Sequence, residues 1–299
     1  MRSHNQEHRM ELSQLDTFLA VAAEGSFSRA GKKLLRTQPA ISLALKRLES
    51  ELGEKLIDRS SKELVLTDAG RLVLDYGRRL YNVRRELRNA LSELRDKQAG
   101  KLTIGANEST ALYLITHIED FRRLYPKVKV EIRRSLSSQI PEEVLAGTLD
   151  LGAISYQPVG AELTSTVIYH DALVLVVSPE HRLAGRGEVS IQELGMETFI
   201  AHNVLSPFRE KVLEVFEQHD VPLHMDVEMP TIETIRKLVQ RNLGVAFVPK
   251  MCVEQELASE LLVEVGVKEI HVERKIRLVQ PARRALSYAG QAFLTVVRG

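Results

Sequence analysis

The chain has 299 residues, of which 44% are hydrophobic and 27% charged, so we expect a folded protein with more than one core. No apolar run approaches the ~20 residues of a membrane helix, which argues against a membrane partner. The single cysteine, Cys252, excludes an internal disulfide and fits a cytoplasmic location. The first residues lack the apolar segment of a signal peptide. We assign residues 1–9 to an N-terminal tail, with Met10 as an alternative initiator.

The charge of the chain is unevenly distributed. Residues 1–100 carry 19 Lys and Arg against 14 Asp and Glu, whereas the remaining residues carry 22 against 26. A basic N-terminal third indicates an anionic partner such as nucleic acid.

Residues 10–67 have the pattern of three short helices followed by two strands. An apolar stripe predicts a helix over 12–23, Ser26 can cap a second helix, and Thr37 can cap a third that has Pro39 in its first turn. The segment "KLIDRSSKELVLTDAG" then predicts two strands around a turn at residues 60–62. Together these elements predict a winged helix-turn-helix, although a three-helix packing unit without a function is the alternative.

The third helix has a face suited to the major groove of DNA. If Ile41, Leu45 and Leu48 pack inward, the opposite face presents residues that can contact bases and phosphates. These residues are Gln38, Pro39, Ser42, Leu43, Lys46 and Arg47.

Residues 68–98 predict one long helix with an apolar seam. Positions spaced by three and four residues form that seam: Val73, Tyr76, Leu80, Val83, Leu87, Ala90 and Leu94. A helix of ~30 residues is about 45 Å long, too long for a small domain to cover. A partner helix is therefore the preferred explanation, and an amphipathic helix on its own domain is the alternative.

Residues 101–299 alternate between β-branched apolar runs and helical stretches. The runs "LTIGA", "VKVEI", "DLGAI", "ALVLVVS", "TFIAH", "GVAFVP" and "IRLVQ" predict a mostly parallel α/β sheet. Ligands collect beyond the carboxyl ends of such strands. That rule selects polar residues after the strands, including Glu108 and Glu233. Eight of them are the candidate effector contacts: Asn107, Ser109, Thr110, Ser137, Ser138, His202, Asn203 and Thr231. Helix capping is the alternative role of each Ser or Thr.

Three segments in a fixed order carry a resemblance to a known family. They are "LDTFLAVAAEGSFSRAGKKL", "TQPAISLALKRLESELGEKLIDR" and "LVLTDAG". Residues 10–75 closely resemble the DNA-binding domain of LysR-type transcriptional regulators, and the rest of the chain is similar in organisation. Leu43 and Gly31 depart from the residues usual in the family, which makes the operator sequence harder to infer.

The resemblance implies a DNA-binding regulator with a homodimer or homotetramer built on the linker helix at 68–98. It implies a two-lobed effector domain at 101–299, with lobe one at 101–169 and 273–299 and lobe two at 170–272, and RNA polymerase as a further partner. The effector is expected in the cleft between the lobes, where Ser109, Ser137 and residues 202–203 match positions that often line it. The candidate DNA contacts on the helices are Ser28, Lys32, Thr37, Gln38, Pro39, Ser42, Leu43 and Lys46. The candidate contacts on the wing are Arg59 and Lys62.

The ligand chemistry stays open at this point. Many members of the family bind small carboxylates as effectors. The side chains of Glu108 and Glu233 would repel a carboxylate if they pointed into the cleft, so a ligand with an amine or several hydroxyls remains an alternative. The sequence has no His-Glu-x-x-His, no glycine-rich phosphate loop and no Gly-x-Ser-x-Gly. We therefore expect neither an enzyme nor a cofactor or metal. A solute-binding protein would leave residues 10–97 unexplained.

Overall fold

A computed structural model describes residues 11–58, 64–95 and 100–298, with the side chains of 92–95 excepted. The chain divides into two compact units. The first ends at Arg88 and takes in Ala146–Thr148, and the second comprises Asn89–Leu145 and Leu149–Gly299. None of the helices in the described residues is long and apolar enough to cross a membrane.

The first unit begins with three helices whose ends are fixed by local sequence. They are α1 (Leu12–Glu24), α2 (Phe27–Leu34) and α3 (Gln38–Leu52). Ser26 Oγ accepts from the backbone N–H of Arg29, and Thr37 Oγ1 accepts from that of Ala40, so the predicted caps of α2 and α3 are both present. Gly53 ends α3 at a φ of 71°, in the left-handed region that glycine adopts without strain.

Two short antiparallel strands and most of a long helix, which continues past Arg88, complete this unit. They are β1 (Ile57–Asp58), β2 (Val65–Leu66) and α4 (Asp68–Arg95). The core is made by Leu15 and Phe18 of α1, Ala30 of α2, and Ile41 and Leu45 of α3, with their apolar neighbours. Since the inward residues come from every helix of the three-helix unit, the angle between α2 and α3 is set by this core.

The second unit alternates strands and helices. Its first half contains β3 (Gly100–Ala106), α5 (Glu108–Leu124), β4 (Val128–Arg134), α6 (Ile140–Leu145), β5 (Leu151–Ile154) and β6 (Leu163–Val177). Its second half contains β7 (Glu188–Val189), α7 (Ile191–Leu194), β8 (Thr198–His202), α8 (Pro207–Gln218), β9 (His224–Met229), α9 (Ile232–Gln240), β10 (Ala246–Pro249), α10 (Glu254–Ala258), β11 (Val263–Val267), β12 (Val272–Pro281) and α11 (Tyr288–Arg298).

The sheet is mixed, so the prediction of a mostly parallel sheet is wrong. β3 pairs in parallel with β4 and β5, but β12 pairs antiparallel with both β5 and β6, and β10 and β11 also pair antiparallel with β6. The two long strands β6 and β12 run side by side through the whole unit. The sequence pattern indicated short strands connected by helices, and it did not reveal these two long strands, which pair antiparallel with each other.

Separate cores on either part of the sheet give this unit two lobes. One core gathers Leu102, Ile104, Phe121 and Phe293 with neighbouring residues from β3, α5 and α11. The other lies between β6, β8, α8 and β11 and contains Phe199 and Phe216. A two-lobed α/β domain is therefore confirmed, and β6 and β12 are the elements that both lobes share.

Candidate functional site

The N-terminal turns of α3 expose the residues that the sequence selected for DNA contact. Gln38, Pro39 and Lys46 are exposed, Leu43 is 51% exposed, and Ser42 is half-buried. Thr37 is exposed at the cap of the helix, and the whole of Ile41, Leu45 and Leu48 is buried on the other side. Ser28 Oγ lies 3.1 Å from Gln38 Oε1, which places α2 and the start of α3 on one surface.

Ion pairing separates the basic residues of this surface into two groups. Lys33 Nζ binds Glu24 Oε1 at 2.6 Å, and Arg36 Nη1 donates to Thr17 Oγ1 at 3.5 Å, so these two side chains are held by the domain itself. Three exposed basic side chains have no partner among the described residues, namely Lys32, Lys46 and Arg47. Their charges are available to an anion.

The connection from α3 to the wing is fixed by a buried carboxylate. Glu49 is 3% exposed, and its Oε1 accepts from the backbone N–H groups of Leu56 at 3.0 Å and Ile57 at 3.5 Å. This arrangement holds β1 against α3. The predicted wing contacts, Arg59 and Lys62, lie outside the described residues.

Helix α4 carries a stripe of exposed apolar side chains. Tyr76, Leu80, Val83 and Leu87 are between 46% and 61% exposed, and Leu72 and Leu91 extend the same stripe. Ala90 is exposed as well. Val73 departs from the predicted seam because it packs against the core of its own unit. The side chain of Leu94 lies outside what the structure describes.

The two lobes of the second unit enclose a cleft of about 820 Å³. Five of the eight residues selected from strand ends line it: Asn107, Ser109, Ser137, Ser138 and His202. Asn107 organises the polar side of the cleft, since its Oδ1 accepts from Thr110 N at 2.9 Å and its Nδ2 donates to Ser137 Oγ at 2.8 Å.

The other three selected residues have local roles away from the cleft lining. Thr110 is fully buried, and its hydroxyl contacts Asn107 and the carbonyl of Ala153. Thr231 caps α9, where its Oγ1 accepts from Thr234 N at 3.2 Å. Asn203 is exposed and its backbone N–H donates to Met229 O. For Thr110 and Thr231, the capping alternative is what the structure shows.

Sequence reasoning missed a buried ion pair in the cleft wall. Arg274 of β12 is 3% exposed, and its Nη1 lies 2.6 Å from Oδ2 of Asp171, its partner in the β6–β12 register. Arg274 Nη2 also donates to Ser109 Oγ at 3.2 Å, and the guanidinium lies 4.8 Å from the ring centre of Phe208. Burial raises the pKa of Asp171 and lowers that of Arg274, while their attraction opposes both shifts.

Glu108 points into the cleft and not away from it. Both of its carboxylate oxygens accept from the backbone N–H of Ile232, at 3.0 and 3.1 Å, so the carboxylate sits at the N-terminus of α9 on the opposite lobe. A carboxylate is favourable there because the helix dipole is positive at that end. Glu233, in contrast, pairs with Arg236 and Lys237 on its own helix.

His202 lies close to this carboxylate. Its Nε2 is 3.8 Å from Glu108 Oε2, and its Nδ1 accepts from Val204 N at 3.0 Å. Burial lowers the pKa of His202, although Glu108 acts in the opposite direction. Because Nδ1 accepts a hydrogen bond, a neutral His202 ring carries its proton on Nε2, the nitrogen that faces Glu108.

Comparisons with known proteins agree with this architecture. Residues 12–71 match the profile of the "Bacterial regulatory helix-turn-helix protein, lysR family", and residues 95–299 match the "LysR substrate binding domain". The chain belongs to the LysR family of transcriptional regulators. The predictions of a DNA-binding regulator, and of a regulator rather than an enzyme, are confirmed by this membership.

The similar proteins cover between two thirds and nearly all of this chain. A "Probable RuBisCO transcriptional regulator" of Cyanophora paradoxa is 32% identical over 96% of this chain and 91% of its own length. The structure of full-length CbnR with its target DNA has a TM-score of 0.71 at 20% identity and covers 97% of this chain and 99% of that one. The structure of the CcmR regulatory domain of Synechocystis PCC6803 in complex with 2-PG has a TM-score of 0.60 at 22% identity. It covers 66% of this chain and 95% of that one.

Proposed function

We propose that this LysR-family regulator binds operator DNA through the N-terminal turns of α3 and responds to a small molecule in its interlobe cleft. The observation that carries the DNA part is the basic surface beside exposed Gln38 that is formed by Lys32, Lys46 and Arg47, whose three charges have no ion-pair partner in the part of the chain that the structure describes. Glutamine pairs with adenine and lysine with guanine or phosphate in the major groove. Ser28, Thr37, Pro39, Ser42 and Leu43 complete the proposed surface, with Arg59 and Lys62 on the wing.

Duplex binding at several salt concentrations tests this proposal. Each phosphate that the protein neutralises contributes about −0.9 to the slope of log affinity against log salt. Gln38→Ala should lower operator affinity more than nonspecific affinity, whereas Lys32→Ala should lower both and reduce the slope by about one unit. Lys33→Ala is the matched control, because the neighbouring Lys33 is already paired with Glu24. A slope that is equal in both lysine variants contradicts the assignment.

The regulator is proposed to assemble through the exposed stripe of α4. Two helices that join such stripes bury apolar side chains that are about half exposed in the single chain. Changing Val83 and Leu87 together to Glu places unpaired charges in that interface and should dissociate the oligomer. Arg78→Ala, off the stripe, should leave it intact. Sedimentation distinguishes the outcomes, and a double variant that remains dimeric would show that other surfaces hold the assembly.

The effector is proposed to bind in the cleft against Asn107, Ser109, Ser137, Ser138 and His202. The CcmR regulatory domain, which is similar in fold, was solved with 2-PG. A ligand that prefers one lobe arrangement shifts the regulator between states and so changes operator affinity. Footprinting with and without ligand tests this step. Ser109→Ala should weaken ligand binding by about 1 kcal/mol and should leave DNA binding without ligand unchanged.

The remaining parts of the proposal follow from the regulator assignment. The domain boundaries are those predicted from sequence: a tail at 1–9, the DNA-binding domain at 10–67, the linker helix at 68–98 and the effector domain at 101–299. A regulator that acts on operator DNA works in the cytoplasm, with RNA polymerase as its further partner and a homodimer or homotetramer as the active form.

A further inference from the structure

The exposed face of α3 has an apolar side chain at its centre. Successive residues of an α-helix are rotated by about 100°, so Leu43 points about 160° away from both Ile41 and Leu45. Ile41 and Leu45 are fully buried, whereas Leu43 is 51% exposed. The Leu43 side chain therefore projects away from the core of its own unit.

Basic residues surround this apolar centre. Lys46 and Arg47 follow Leu43 by one helical turn, and both are exposed and have no ion-pair partner in the part of the chain that the structure describes. Residues 26–48 contain six Lys and Arg and no Asp or Glu, because the acidic residues of α3 begin at Glu49. A basic surface of this kind favours DNA over a protein as the partner that covers Leu43.

Leucine has no hydrogen-bonding group, which limits what it can face in the major groove. Every base pair displays donors or acceptors there, and the C5 methyl group of thymine is the apolar group among them. A leucine placed over the N7 and O6 of guanine, or over the N4 of cytosine, would displace water without replacing its hydrogen bonds, which is unfavourable. Over a thymine, the methyl group receives the contact and is itself removed from water.

From this arrangement we infer that Leu43 determines operator specificity by packing against the 5-methyl group of a thymine. The inference rests on the proposed function, since it names the feature of a base that the same surface reads. It has two consequences that a hydrogen-bonded contact would not have. Binding depends on the methyl group and not on the atom attached to C4 of the base, and the dependence is lost when the side chain becomes polar without a change of shape.

Uracil substitution tests the first consequence, because it removes only the methyl group and keeps the base pair and its O4 acceptor. A duplex recovered from a random-sequence pool with the full chain serves as the operator, and each of its thymines is replaced in turn by uracil. At the thymine that Leu43 faces, affinity should fall about fourfold for each half-site, which corresponds to one buried methyl group. If no uracil lowers affinity by more than about twofold, the inference is overturned.

A pair of variants assigns the effect to Leu43. Asparagine has nearly the shape of leucine but a polar end, so Leu43→Asn should bind the thymine and uracil duplexes equally. Because Leu43 is exposed, this change does not open the core, and circular dichroism checks the fold. Leu12→Asn on α1 is the matched control, since Leu12 is 50% exposed, and it should keep the fourfold difference. An undiminished uracil effect in Leu43→Asn would assign the methyl contact to another residue and overturn the inference.

Methylation of cytosine gives an independent measure. The sensitive thymine is replaced by cytosine, paired with guanine, with and without a methyl group at C5. Since Leu43 forms no hydrogen bond with O4 or N4, the methylated duplex should bind about fourfold more tightly than the unmethylated one. Leu43→Asn should bind both duplexes equally. Equal binding of the two duplexes by the unchanged chain would contradict the inference.

The recovery step separates this inference from the proposed function. If the full chain recovers no sequence above nonspecific binding, the proposed operator binding fails and the inference fails with it. If it recovers an operator whose affinity is unchanged by uracil at every thymine, the proposed function stands and the inference alone is overturned.

Discussion

Removal of Arg274 should destabilise the effector domain far more than removal of a surface arginine or lysine. The Arg274–Asp171 pair is nearly inaccessible, with side chains 3% and 1% exposed and a nitrogen–oxygen distance of 2.6 Å. Arg274→Met deletes the positive partner and leaves the Asp171 carboxylate buried with only backbone donors, chiefly Met251 N. The expected cost is about 3–5 kcal/mol, the usual range when one partner of a buried pair is lost.

Urea denaturation measures this loss. Five of the seven tyrosines lie in the second unit, at positions 113, 125, 156, 169 and 288, so tyrosine fluorescence follows mainly its unfolding. With a slope of about 2 kcal/mol per molar urea, the midpoint should fall by roughly 2 M. Lys250→Met is the matched control, because Lys250 and Glu264 are 2.8 Å apart but 48% and 37% exposed, and such a pair contributes less than about 1 kcal/mol.

A double variant tests whether charge is the cause. Arg274→Met combined with Asp171→Leu removes both charges, so most of the lost stability should return, apart from about 1 kcal/mol for the Met251 N–H that loses its acceptor. If Arg274→Met costs no more than Lys250→Met, or if the double variant is as unstable as the single one, the buried pair is not what stabilises this part of the fold.

Three further predictions each concern one residue. Cys252 should stay unreactive toward a thiol reagent at pH 8 in the native protein and react after unfolding, because burial raises its pKa to about 12; rapid native labelling would contradict this. Glu108→Ala should speed hydrogen exchange of the Ile232 amide about tenfold, since that N–H loses both of its carboxylate contacts, and unchanged exchange would argue against the interlobe bond. Gly70→Ala should lower the thermal midpoint measured by circular dichroism, because the added Cβ would lie 2.1 Å from Leu56 O, and an unchanged midpoint would refute the close approach.

The DNA-binding half could be predicted in detail because its structural signals are local. Ser26 and Thr37 mark the helix starts, and each contacts a backbone N–H only three residues away. The departure at Gly31 also has a local explanation: a Cβ there would lie 2.8 Å from Arg36 O in the turn between the helices. Such features are encoded within a few residues and need no knowledge of the tertiary fold.

The cleft was only half predictable, for a physical reason. The strand-end rule selects polar residues, and it found fewer than half of the eleven polar or charged residues that line the cleft between Asn107 and Tyr156, among them Asn107 and Ser137. The apolar residues that line the cleft from the other lobe cannot be recognised in this way. A phenylalanine that faces a cleft, such as Phe247, has the same sequence pattern as one that faces a core. Thr231 was selected by the same rule, yet its hydroxyl is used by its own helix.

Arg274 shows where a signal was present but incomplete. Along β12, Arg274, Ile276 and Leu278 are all buried, so the two-residue period of a strand places an arginine on an otherwise apolar face. A charge at such a position must have a buried partner, because an unpaired one would cost several kcal/mol. The partner, Asp171, is 103 residues away and is defined by the register between β6 and β12. The sequence therefore indicates that Arg274 needs a buried partner, but only the strand register identifies Asp171 as that partner.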